Sequence, residues 1–130
     1  MREILFRGKR LDNGEWVEGW YQPETTIKHW NGIQETVGVT IAYKAEDGSL
    51  EDTLVDPSTV GQYTGLTDKN GKRIFEGDIL SLRTGRRHVV MFEDGAFALE
   101  NTAIPMRFAN KFEVIGNIHD NQDMLKGGDV

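Results

Sequence analysis

Arg83-Thr84-Gly85-Arg86-Arg87-His88 places three arginines and a histidine within six residues of a chain that is otherwise acidic, with a net charge of −6. Guanidinium groups on a turn can reach phosphate oxygens. Lys69, Lys72 and Arg73 extend such a patch if the two turns share one end of a sheet, and Phe92 or Phe97 then supplies a stacking surface for bases. On that reading the candidate nucleic-acid contacts are Lys72, Arg73, Arg83, Arg86 and Arg87. The competing reading is a solvated hairpin tip whose arginines balance the acidic surface, and the overall charge favours it.

Other chemistry-bearing groups point to scaffold. Asp68-x-Asn70-Gly71 opens like a calcium loop, but the third oxygen ligand and the bidentate Glu at the twelfth position are replaced by Lys72 and Ile79. A hairpin turn is the expectation there. Glu76 and Asp78 lie two apart, on one face of any strand, yet no neighbour is placed to raise one carboxyl pKa, and acidic turn residues are ordinary solvation and Asx-turn chemistry. His29, His88 and His119 are isolated in sequence. Gly61 and Gly65 match neither phosphate-loop pattern. The sequence predicts no enzyme, no metal site and no cofactor.

The 130 residues fit one domain able to bury roughly two thirds of its unfolded surface. The absence of cysteine removes disulfides, thiolate metal sites and cysteine nucleophiles. The first residues return to charge directly after the short apolar stretch 4–6, too short for a signal segment or a membrane span. A cytoplasmic protein with no membrane partner is expected.

The elements that must carry these residues are legible from four turn signals, Asn13-Gly14, Asp47-Gly48, Asn70-Gly71 and Asp94-Gly95, each between strand-like runs. A two-residue type I′ turn is predicted at each. The first hairpin pairs 3–9 with 15–21: Trp16 and Trp20 alternate with Glu15, Val17 and Gly19 as a half-buried strand requires, and Ile4 and Phe6 share the apolar face. Residues 22–34 read as a loop, 35–43 as a strand and 50–55 as its return, with one helical turn after Asp56-Pro57. Short strands follow at 62–64, 73–75, 78–83, 87–92, 96–100 and 112–118, then a terminal helix over 121–126 ended by Gly127-Gly128. The fold class is mainly β with little helix: an N-terminal hairpin lobe (1–60) and a C-terminal small barrel, SH3-like or a rolled sheet (61–130), or one cooperative domain over 1–126 with a flexible tail.

Gly61, Tyr63, Gly65, Asp68, Gly71, Gly77 and Asp78 punctuate the run VGQYTGLTDKNGKRIFEGDIL. Together with Met1-Arg2-Glu3-Ile4, Phe6-Arg7 and Phe112-Glu113-Val114-Ile115-Gly116-Asn117-Ile118, that run resembles the YopX family of phage and prophage proteins. The resemblance implies a mainly β fold and action inside a bacterial host, and it carries no catalytic residues, since the shared motif consists of turn glycines, apolar strand residues and Asx positions. Residues 22–53 and 101–110 fall outside it and are where a specific partner would be chosen. Four aromatic side chains, Trp16, Trp20, Tyr21 and Trp30, crowd the first third and predict self-association. The function expected is a non-enzymatic phage accessory or interaction module, bound to itself and to a host or phage protein. The rival is nucleic-acid binding through the basic hairpin.

Overall fold

The computed structural model describes residues 4–125, with the side chains of 24–27 and 35–37 excepted. The motif residues Met1-Arg2-Glu3, together with Lys126, Gly127 and Gly128, lie outside the described residues. Two compact units emerge, Ile4–Gln62 and the residues from Tyr63 onward.

In the first unit, β1 (Phe6–Lys9), β2 (Trp16–Lys28), β3 (Gln34–Lys44) and β4 (Leu50–Leu54) pair antiparallel in that order. The sheet then rolls back on itself, because Leu11 N–H donates to Leu54 O (3.0 Å) and Asp56 N–H to Lys9 O (2.8 Å). A 3-10 turn follows at Pro57–Thr59, started by Asp56, whose carboxylate accepts from Ser58 N–H, as the sequence predicts. Gly61 and Gln62, the first residues of β5 (Gly61–Thr67), pair with Arg7 and Phe6 of β1.

Three expectations for this unit are corrected. The stretch 22–34 is mostly strand, leaving only 29–33 as a turn. Pro23 is tolerated inside β2 because the pairing register slips between Gln22 and Thr25, where no ladder N–H is demanded. The buried face of β2 is that of Val17 and Gly19 rather than that of the tryptophans. Gly8 and Gly19 bring the chains too close for rings: a Cβ on Gly8 would lie 3.1 Å from Val55 Cβ, and one on Gly19 would run into Ala42 O. Val17, Ile41 and Val55 form that core, with Phe6, Val39, Tyr43 and Val60 against it. Trp16 instead sits under the cations of Arg7 and Lys9, 4.7 and 5.7 Å from the ring centre, while Trp20 is 53% and Ile4 65% exposed.

In the second unit the rest of β5 pairs with β6 (Arg73–Phe75) across a bulge at Gly65. The strands β7 (Asp78–Ser81), β8 (Arg87–Glu93), β9 (Ala96–Leu99) and β10 (Glu113–Asn117) form an antiparallel sheet ordered β10-β7-β8-β9. The mainly β, antiparallel class holds. This sheet is open, with β9 and β10 as its edges, so the strands do not close into a barrel. Its core is Ile74, Leu80, Val90, Leu99, Ala109 and Val114. Ala109 comes from a 3-10 helix at Met106–Lys111 that the sequence does not announce, since Pro105 before it provides no capping side chain. The terminal helix is reduced to a 3-10 stretch, Gln122–Leu125.

The turns also differ from expectation in type. Only Asp94-Gly95 has positive φ at both residues (54° and 82°). At 13–14, 47–48 and 70–71 the glycine alone is left-handed. The Asx residue keeps a negative φ because its side chain, or a neighbour's, caps the loop: Asn13 and Asp47 accept from Glu15 and Ser49 N–H at 2.9 Å.

Candidate functional site

Glycine-rich run and basic turn both belong to the second unit, and they do different things. Asp68 is buried, with Oδ1 accepting from Asn70 N–H (2.8 Å) and Lys72 N–H (2.9 Å) and Oδ2 from Val114 N–H (2.9 Å). Burial by itself raises this carboxyl, but the three backbone donors outweigh it and hold the pKa below the usual aspartate range. The carboxylate thus ties the 69–71 turn to β10. Asp78, also buried, accepts from Phe75 N–H (2.8 Å), and the intervening Gly77 at φ 92° donates to Val90 O and accepts from Ile118 N–H. Tyr63 packs on Phe75 with centroids 5.5 Å apart. Gly61, Gly65 and Gly71 occupy a buried pairing position, the bulge and the turn.

The basic turn joins β7 to β8. Leu82 N–H donates to Arg86 O and Gly85 N–H to Leu82 O, both at 2.8 Å, leaving Arg83, Thr84 and Gly85 as an exposed tip. Ser81 pairs with Arg87 on one side and with Glu113 on the other, and Lys69 N–H donates to Phe112 O. Both turns therefore lie at one end of the sheet. Lys72 and Arg73 are exposed there, but Arg73 leans over the Tyr63 ring (5.8 Å) and Lys69 Nζ faces Glu113 (3.9 Å). The stacking role foreseen for Phe92 and Phe97 is corrected: they pack edge-on at 4.9 Å beside the Asp94-Gly95 turn, and Phe92 is five strand residues from Arg87, about 17 Å.

A cleft of about 390 Å³ opens beside this turn, lined by Arg86, Arg87, His88, Val89, Glu100, Asn101 and Leu125. Arg87 is half-buried and its Nη1 donates to Met124 O at 2.7 Å. His88 Nδ1 lies 2.8 Å from Glu100 O. Asn101 holds a φ of 62°, rare outside glycine. Sequence reasoning missed Glu100, Asn101 and Leu125, and the one signal for them was that asparagine tolerates the left-handed region better than most residues. Glu76, half-buried before Gly77, and the turn residues Glu93 and Asp94 do not line this cleft.

A family model described as YopX protein matches residues 5–126. Among solved structures, the crystal structure of protein EF1440 from Enterococcus faecalis is similar at a TM-score of 0.56 and 25% identity, covering 97% of this chain and 100% of that one. No curated protein matches. Among the described residues, no helix is long and apolar enough to cross a membrane.

Proposed function

The chain belongs to the YopX protein family over residues 5–126, and from that premise we propose that it is a non-enzymatic interaction module of phage or prophage origin, acting in the cytoplasm of a bacterial host and binding first to a second copy of itself. The observation that carries this reading is Trp30, 98% exposed at the tip of the long β2–β3 hairpin, with Ile33 beside it at 60%. A ring of that size held in water is the informative kind of exposure. Leu11, Trp20, Tyr21 and Leu50 add exposed apolar surface in the same unit, and the edge of β4 offers unpaired strand groups near Leu50. A second copy seated on the tip covers Trp30 and Ile33, while the β4 edge near Leu50, which pairs with Lys44 at the far end of β3, is a separate surface. Amide exchange at low and high protein concentration tests it. Protection of residues 28–34 that grows with concentration is expected, and identical exchange at both concentrations contradicts it.

The second reading, nucleic-acid binding by the basic turn, is supported by the exposed arginines Arg83 and Arg86 at one end of the sheet. It predicts affinity that falls steeply with salt.

A further inference from the structure

We infer that the cleft between the start of β8 and the end of β9 binds the phosphate end of a nucleotide, deepening the second reading of the basic turn by giving it a defined pocket. The groups there are of three kinds. Arg87 lines the cleft and is held by its bond to Met124 O, so part of its rotamer entropy is already lost and engaging its other N–H donors carries a low ordering cost. Arg86 brings a second guanidinium to the same cleft. Two cations suit a phosphate monoester, for which arginine has the matching fork of donors.

The second kind reads the rest of the ligand. Glu100 O can only accept, so the hydrogen lies on His88 Nδ1, which leaves Nε2 as the ring nitrogen able to serve a bound group. Asn101 offers both a donor and an acceptor, and its left-handed backbone is a strained feature set at the cleft wall. The Glu100 carboxylate repels a bare anion but accepts from sugar hydroxyls, so it favours a sugar phosphate over inorganic phosphate. Val89 and Leu125 provide the third kind, apolar walls for a ring. The volume of about 390 Å³ lies within the usual range for small-molecule sites.

Titration at low salt, followed by amide chemical shifts, tests this with adenosine and uridine 5′-monophosphates, the parent nucleosides, inorganic phosphate, and a single-stranded oligonucleotide with or without a 5′-phosphate. The mononucleotides are expected to shift residues 86–89, 100 and 101, with nucleosides and inorganic phosphate about ten-fold weaker or worse. Arg87→Met and Arg86→Ala should each weaken binding about ten-fold, whereas Arg107→Ala, exposed and outside the cleft lining, leaves it unchanged. Arg86 is exposed, so its variant keeps the test valid if Arg87→Met fails to fold. Binding of the 5′-phosphorylated strand with the same dependence on Arg86 identifies a strand end as the source, and binding of mononucleotide alone identifies a free nucleotide. No mononucleotide binding, or inorganic phosphate binding as tightly as the nucleotide, overturns the proposal. Strand retention without mononucleotide binding overturns this pocket while leaving the basic-turn reading standing.

Discussion

Asp68 shows at the scale of one residue why a motif that looks like a ligand set is architecture. Its two oxygens are used by three backbone N–H groups from two segments. Asp68→Ala leaves those donors unpaired and should cost roughly 2–4 kcal/mol, read from the denaturant midpoint at unchanged slope. The sign of the pH effect follows from the lowered folded-state pKa. A depressed carboxyl contributes stability that is fully present above the unfolded aspartate value of about 3.9 and is lost as pH falls through the folded value. Wild-type stability should therefore decline from about pH 4 downward, and Asp68→Asn should flatten that limb. An unchanged acid limb in the variant would remove Asp68 from the account. Gly77, at φ 92° with its N–H and carbonyl bonded to Val90 and Ile118, cannot move to relieve strain. Gly77→Val should cost on the order of a few kcal/mol, against about 1 for Gly85→Ala, whose added Cβ meets nothing within 4 Å. Equal melting temperatures for the two variants would contradict this.

At the scale of elements, the basic turn is cheap to alter. Arg83, Thr84, Gly85 and Arg86 are exposed and the loop is held by backbone bonds, so replacing Arg83 and Arg86 with alanine should leave the melting temperature within a few degrees, whereas adding Arg87→Ala also removes its bond to Met124 O and lowers it further. If the turn binds duplex DNA, the triple variant flattens log affinity against log salt by roughly three units, about one per lost phosphate contact. Retention that is unaltered in slope would move the contacts elsewhere. Hairpins were legible because glycine marks a turn whatever its type. The type itself was not, since an Asx side chain that caps its own loop removes the need for positive φ, as at Asn13 and Asp47. The extent of β2 was hidden by Pro23, which reads as a break unless the register slip is known. Hydrophobicity alone favours the face of Trp16 and Trp20, but the tight side of the sheet is the one marked by Gly8 and Gly19, where there is no room for a ring. As for the site, the arginines stand out in sequence, but Glu100, Asn101 and Leu125 reach the cleft only through strand pairing and the return of the chain after β10.

For the whole molecule, charge and exposed apolar surface pull in opposite directions. Copies carrying −6 each repel, and added salt screens that repulsion. Self-association through Trp30 should therefore strengthen with salt, whereas phosphate binding weakens, so one titration separates the two readings. The most direct measurement is the mass of the wild-type protein by light scattering across the micromolar range in moderate salt. The account predicts a mass of at least two 14.7 kDa chains, falling toward one chain on dilution and in Trp30→Ser. A wild-type mass of 14.7 kDa throughout that range would contradict it.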